Sequence, residues 1–204
     1  MTIESRGSAD LVRSLACRNG WPNDLRVLLE RFPREQWQAH ANLGEMARFW
    51  LSRHAMFREL SAMIDTIETR FRVGALMPAD LLRQLMPHLQ FLLSQLAVHH
   101  QIEDHHYFPI FRAADTRLAR GFDVLEGDHH AIHGDMGRTA ETANALLRAL
   151  AGNGGLKRRS VAYVTASGAL RKGLIRHLDD EEDLIVPLIL DRGEQALGVA
   201  HHAG

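Results

Sequence analysis

The sequence predicts an all-α protein built as an up-down-up-down four-helix bundle. Leucine, alanine, arginine and glutamate, which favour helices, are frequent. Apolar residues recur at spacings of three and four along four long segments, the period that gives a helix one apolar face. The alternation of valine, isoleucine and threonine that is typical of strands is missing. These three observations together favour a helical bundle.

Local patterns suggest where the four long helices begin and end. Asn42, with Glu45 three positions later, resembles a capping box. Prolines suit the first turn of a helix and glycines suit its end. Pro87 predicts a later start or a kink in the second helix. The predicted ranges are Asn42 to about Phe71, Pro78 to about Pro109, about Asp115 to the glycine-rich turn at 151–155, and about Leu156 to Pro187.

The domain organisation that follows has three parts. Residues 1–41 form an N-terminal helical extension, residues 42–190 form the bundle, and residues 191–204 form a C-terminal tail. Two short helices, near 8–19 and 22–32, are predicted in the extension; the sequence leaves its role open, with a lid and a dimer contact as the alternatives. The single cysteine, Cys17, excludes a disulfide within the chain and a thiolate-rich metal site, and we expect it to be a small core residue.

Charge and hydropathy favour a protein that acts on a small ligand. The 24 basic and 25 acidic side chains nearly cancel, so no overall field attracts nucleic acid or an anionic membrane. The N-terminus has no apolar signal-peptide core, and no uninterrupted apolar run is long enough to span a membrane. We therefore expect a cytoplasmic protein without nucleic-acid or membrane partners; the sequence does not indicate an oligomeric state.

Side chains that can bind a metal interrupt each apolar stripe at one place. Each of these positions lies roughly 17 to 21 residues from the turn that connects its helix to the adjacent one, if the helices rise regularly. Adjacent helices then bring the positions to a common level. The set comprises His54 in the first helix, His99 and Glu103 in the second, His129 and His133 in the third, and His177 and Glu181 in the fourth.

This arrangement indicates metal ions rather than ordinary core histidines. Two carboxylates buried among imidazoles carry a large desolvation cost unless a cation balances them. The segments HHQIEDHHYFP and HLDDEEDLIVP also align in register, so that a histidine, a glutamate four residues later and a proline coincide. The remaining internal histidines are interpreted as surface residues: His40, His88, His100, His105, His106 and His130.

Five imidazole nitrogens and two bridging carboxylates suit two metal ions. The simplest division gives three nitrogens to one ion and two to the other, which leaves a coordination position for a small external ligand. Imidazole and carboxylate ligands without thiolate suit iron, manganese, zinc or nickel. Residue chemistry alone leaves that choice open.

Four motifs resemble the hemerythrin family, specifically its bacterial branch of HHE cation-binding domains. They are FWLSRHAMFREL, HHQIEDHHYFP, LEGDHHAIH and HLDDEEDLIVP, and the resemblance covers roughly residues 42–190. It implies a four-helix bundle with two iron ions joined by an oxo or hydroxo group. In that family pattern His129, His133 and His177 would hold one iron, His54 and His99 the other, and Glu103 and Glu181 would bridge both.

Some positions depart from the family pattern or leave alternatives. Oxygen-carrying members place an aspartate five residues after the last histidine, whereas Glu181 follows His177 by four and Glu182 takes the fifth position. This difference argues against simple oxygen transport. His130 is an alternative ligand to His129, and Asp104 and Glu182 are expected to support ligands or to remain solvated.

The expected function is binding of dioxygen or a related diatomic such as nitric oxide at the open iron position. One alternative is an enzyme that turns over peroxide or nitric oxide, for which Tyr107, Tyr163 or Arg58 would supply a proton; each also has an ordinary interpretation as a packing or surface residue. The other alternative is an iron storage or sensing module. A catalase assay of the iron-loaded protein distinguishes the enzyme from a carrier, and elemental analysis joined to an optical spectrum with and without air is the most informative measurement.

Overall fold

All the regular secondary structure in the described part of the chain is helical. The computed structural model describes residues 14–200, and this range contains no β-strand. None of its helices is both long and apolar enough to cross a membrane. Its α-helices are α1 (Val27–Arg31), α2 (Glu45–Arg72), α3 (Pro78–Ile102), α4 (Phe108–Ala114), α5 (Ala119–Arg148), α6 (Leu156–Arg192) and α7 (Glu194–Leu197).

Short turns of other helical types join several of these helices. They are 3₁₀ turns at Asn23–Leu25, Arg34–Ala39 and Thr116–Leu118, and π turns at Glu103–Tyr107 and Ala149–Asn153. The predicted all-α class is therefore confirmed. The four long predicted helices are present, and the glycine-rich turn ends the third as expected, with Gly152 at φ 100°.

Two of the predicted helix ends are wrong. The second helix does not stop at Pro109, because the π turn joins α3 directly to α4. Pro109 lies in the first turn of α4, where a missing N–H costs little. The fourth helix runs through Pro187 to Arg192 and ends at Gly193, whose φ of 80° is the left-handed conformation that favours glycine.

A glutamate distant in sequence caps the start of α2, so the predicted capping box is wrong. The Glu194 carboxylate accepts hydrogen bonds from the backbone N–H groups of Met46, at 3.3 Å, and Ala47, at 2.8 Å. The side-chain amide of Asn42 instead donates to the Leu190 carbonyl at 2.7 Å. A Cβ on Gly44 would overlap the Glu194 carboxylate, so this close approach requires glycine.

The chain divides into two compact units. Within the described range, unit 1 comprises residues 14–54, 100–129 and 175–200, and unit 2 comprises residues 55–99 and 130–174. The core of unit 1 is rich in aromatic rings, including Trp21, Trp37, Trp50, Phe108 and Phe122.

Unit 2 has a mainly aliphatic core that also contains a buried polar group. The Glu68 carboxylate accepts hydrogen bonds from the Ser167 hydroxyl, at 2.6 Å, and from the Arg171 guanidinium, at 2.8 Å. All three side chains belong to residues that are at most 9 % exposed. Because the charges pair with each other, their burial is tolerated.

The N-terminal extension is only partly as predicted. Residues 14–19 form a turn rather than a helix, and the rest of the predicted helix at 8–19 lies outside the described residues. The second predicted helix appears as the 3₁₀ turn followed by α1. Cys17 is exposed, so its expected place in the core is wrong.

We expect Glu194→Ala to destabilise the protein by about 1 to 2 kcal/mol, since it removes two hydrogen bonds and a negative charge from the N-terminus of α2. Urea unfolding monitored by circular dichroism measures the change. Gln195→Ala, at an exposed neighbouring position on α7, is the matched control. Equal stabilities of the two variants would show that the cap does not contribute.

Candidate metal centre

Four segments of unit 1 bring six ligand-type side chains into its interior. α2 contributes His54 and α5 contributes His129, and each is the last residue of its helix that belongs to unit 1. The π turn and the residues just before it contribute a histidine and a glutamate, and α6 contributes the last pair. Each of the six is at most 1 % exposed: His54, His100, Glu103, His129, His177 and Glu181.

Three of the histidines face one another and form the first donor set. His100, His129 and His177 each offer a ring nitrogen, and these atoms lie within 4.8 Å of one another. The Nε2 atoms of His129 and His177 are 3.1 Å apart. The rings of His100 and His129 are stacked with centroids 3.9 Å apart. Three converging imidazoles provide the type of ligand that suits a divalent transition metal.

A second donor set combines imidazoles with carboxylates. It consists of His54, His99, Glu103 and Glu181, whose ligand atoms also lie within 4.8 Å of one another. His99 precedes His100 on α3 and is half-buried. Two neighbouring residues of one helix therefore supply nitrogens to different donor sets, since successive side chains are about 100° apart around the helix axis.

Glu181 and Glu103 lie between the two sets of imidazoles. One Glu181 oxygen is 3.4 Å from His177 Nε2 and 3.5 Å from His54 Nε2. A Glu103 oxygen is 3.5 Å from Nε2 of His129. Each carboxylate of the second set therefore also approaches the first set, the placement required of a ligand shared between two ions.

Burial raises the pKa of both glutamates well above the ordinary value. For Glu103, desolvation is the main cause. For Glu181, desolvation is joined by the neighbouring charge of Glu103, while His54 acts in the opposite direction. Ionised carboxylates in this position need cationic charge close by. Five nitrogens, four of them from fully buried imidazoles, and two buried carboxylates therefore fit the ligand requirements of metal ions.

Acidic residues hold the outer nitrogen of three of the imidazoles. Nδ1 of His54 is 3.0 Å from Glu182, and Nδ1 of His129 is 2.7 Å from Asp104. These contacts agree with the supporting role expected of the two acids. Nδ1 of His177 is 3.4 Å from Asp128, a contact that the sequence did not indicate. Such contacts fix the tautomer that directs Nε2 toward a metal.

Of the seven side chains predicted to converge, the structure brings six together and leaves out His133. His133 is exposed, because the buried stripe of α5 passes through Ile132, one position away. The buried residues around it follow alternating spacings of three and four: His129, Ile132, Met136, Thr139 and Ala143. That regular alternation is the sequence feature that separates Ile132 from His133.

His100 is the ligand-type residue that the sequence interpretation missed. The expectation that it is a surface histidine is wrong, since it is 0 % exposed and belongs to the first donor set. It lies four residues after Leu96 and three before Glu103, which continues the buried stripe of α3. His130, by contrast, is exposed, so of the two candidates at this place His129 faces the interior.

The fold and this site together define an all-helical metal-binding protein with a cluster of histidines and glutamates. The family model described as the hemerythrin HHE cation binding domain matches residues 45–189. The chain therefore belongs to the hemerythrin HHE cation-binding family. No curated protein and no solved structure gave a significant match to the chain.

The raised pKa values of the two glutamates predict how the metal-free protein responds to pH. The folded state keeps both carboxyls protonated at pH values where an unfolded glutamate, with a pKa of about 4.3, has ionised. Their stabilising contribution is fully present below that pH and is lost as the pH rises through the folded-state values.

We therefore expect the unfolding free energy of the protein in chelator to fall as the pH rises above the ordinary glutamate pKa of about 4.3. The fall should be smaller in the Glu103→Gln/Glu181→Gln double variant, whose amides do not titrate. Urea unfolding at a series of pH values measures both slopes. Parallel pH profiles for the two proteins would contradict the assigned pKa directions.

Proposed function

We propose that this protein holds two iron ions at its histidine and glutamate cluster and binds dioxygen, or a related diatomic such as nitric oxide, at one of them. The observation that carries the proposal is the position of Glu181, whose carboxylate lies 3.4 and 3.5 Å from imidazole nitrogens of the two different donor sets. A carboxylate in that position is suited to join two ions.

The proposed ligands divide unequally between the ions. His100, His129 and His177 would hold the first, and His54 and His99 would hold the second. Glu103 and Glu181 would bridge both. The second ion then has one protein ligand fewer than the first, and an open position at a metal is where a small ligand binds.

The ligand chemistry and the family support iron as the metal. Imidazole and carboxylate suit iron, manganese, zinc or nickel, and the cation-binding domains of this family typically bind iron. Iron also supplies the redox chemistry that dioxygen binding needs. The proposal includes the up-down-up-down arrangement of α2, α3, α5 and α6 that the sequence predicts.

Tyr107 favours an enzyme as the second candidate. Its hydroxyl has a raised pKa through burial and the nearby charges of Glu103 and Glu194. Its ring also packs against Trp50 with centroids 5.0 Å apart. A half-buried hydroxyl near a proposed bridging carboxylate can relay a proton, which turnover of peroxide or nitric oxide requires and reversible binding does not, although its raised pKa makes it a weak acid on its own.

The proposed ligand set is tested by two matched histidine variants. We expect His100→Ala to lower the iron content after anaerobic loading, because it removes one of three nitrogens from the first set. His133→Ala should bind as much iron as the unmodified protein, since that side chain is exposed. Elemental analysis of the desalted proteins measures both. Loss of iron from His133→Ala alone would support the family's usual ligand instead.

Binding of a diatomic is tested optically. The iron-loaded, reduced protein should gain an absorption band in air, and a different one with nitric oxide under argon. His99→Ala should lose this response, because it removes a ligand of the open ion, and the exposed His105→Ala should keep it. An unchanged spectrum of the loaded protein with both gases would refute the proposal. Steady consumption of added peroxide would favour the enzyme.

A further inference from the structure

Two arginines of the N-terminal extension reach acidic residues behind the metal centre. The segment 14–41 precedes the family match, which begins at residue 45. It contains the pattern Arg-x-x-Trp twice, at Arg18 to Trp21 and at Arg34 to Trp37. In both, the guanidinium lies over the tryptophan ring, at 5.3 and 4.9 Å from the centroid. Each ring therefore fixes the direction of its arginine.

Arg18 connects the extension to His177. Its guanidinium donates two hydrogen bonds to the Asp128 carboxylate and a third, at 2.6 Å, to Asp180. Asp128 is in turn the partner of His177 Nδ1. The side chain of Arg18 is 1 % exposed, so this charge lies inside unit 1 where solvent screens it little. Trp21 adds a hydrogen bond to the Asp180 carbonyl at 2.6 Å.

Arg34 makes the corresponding connection to His54. It donates to Glu182 at 2.9 Å, and Glu182 is the partner of His54 Nδ1 at 3.0 Å. It also donates to Asp183 at 2.7 Å. Its side chain is 40 % exposed, so its charge acts more weakly than that of Arg18. The same order of arginine, carboxylate and imidazole thus occurs twice, once behind each donor set.

We propose that the N-terminal extension is a working part of the metal centre, in which Arg18 and Arg34 act as positioning residues that set the electron-donating strength of His177 and His54. This inference rests on the proposed function, because it requires a metal at those nitrogens. A carboxylate behind an imidazole increases the electron density on the ring. A fixed guanidinium behind the carboxylate withdraws part of that effect and favours the ferrous over the ferric state.

The chain supplies a close control for this arrangement. Arg31 lies in the same extension, with its guanidinium 5.0 Å from the centroid of Phe32. It pairs with Asp191 at 2.7 Å, a distance like those made by Arg18 and Arg34. Its side chain is 68 % exposed. Neither donor set contains Asp191 or a neighbour of it in sequence. Replacing Arg31 therefore removes an ion pair of the extension that has no connection to a donor imidazole.

The experiment is a redox titration of the iron-loaded full chain and its variants, followed by electron paramagnetic resonance. We expect Arg18→Met to favour the ferric state by about tenfold, which is about 59 mV per electron. Arg18→Lys keeps the positive charge and should restore most of the potential. Arg34→Met should shift the potential in the same direction by less, and Arg31→Met should leave it unchanged.

The outcomes separate this inference from the proposed function. Failure of the unmodified chain to bind iron would refute the proposed function. Normal iron binding with an Arg18→Met potential equal to that of Arg31→Met would refute the inference alone. Equal shifts in Arg18→Met and Arg18→Lys would also refute it, because charge would then not be the cause. If Arg18→Met does not fold, Arg34→Met decides: an unchanged potential overturns the inference and a lowered one supports it.

Discussion

The interior of unit 1 is organised by the cost of burying two glutamates. Glu103 and Glu181 are removed from solvent and lie close enough for one charge to raise the pKa of the other. Neither imidazoles nor hydrogen bonds alone compensate two such charges in a medium of low polarity. A cation bound between them does. The placement of every ligand-type side chain around them follows from this requirement.

Acidic residues next to the donor side chains connect the helices of unit 1 to one another. Glu182 follows Glu181 on α6 and holds His54 of α2. Asp104 follows Glu103 in the π turn and holds His129 of α5. Asp128 precedes His129 and holds His177 of α6. Each of these acids thus orients an imidazole from a different segment. Two adjacent residues therefore supply one donor side chain that faces the cluster and one acid that supports a donor of another segment.

Helical periodicity predicted much of the fold and most of the cluster. Leu170, Leu174, His177, Glu181 and Leu184 are all buried, as their spacing of three and four predicts. Helical periodicity does not decide between two adjacent residues that both fit that spacing. His99 lies three residues and His100 four residues after Leu96, so either can face inward. The structure places a nitrogen of each in a different donor set. Periodicity alone does not predict that both histidines contribute.

Contacts between distant segments account for the features that the sequence did not predict. The cap on α2 comes from Glu194, about 150 residues away, and no local pattern marks it. The end at Pro109 was predicted wrongly because a π turn shifts the proline into the first turn of a new helix. Local patterns describe one helix at a time, whereas these features depend on which segments meet.

Negative and positive groups alternate from the centre of the cluster outward. This alternation explains why the side chains that support the cluster include residues outside the family domain. The inner glutamates favour bound cations, and the imidazoles that would share those cations are oriented by acids. Two of those acids, Asp128 and Glu182, are themselves buried, and burial raises the pKa of Asp128 and of Asp180, the other carboxylate that Arg18 contacts. Arg18 opposes that rise by pairing with both. A segment outside the matched domain thus balances charge that the matched domain buries, so the extension and the domain form one electrostatic unit.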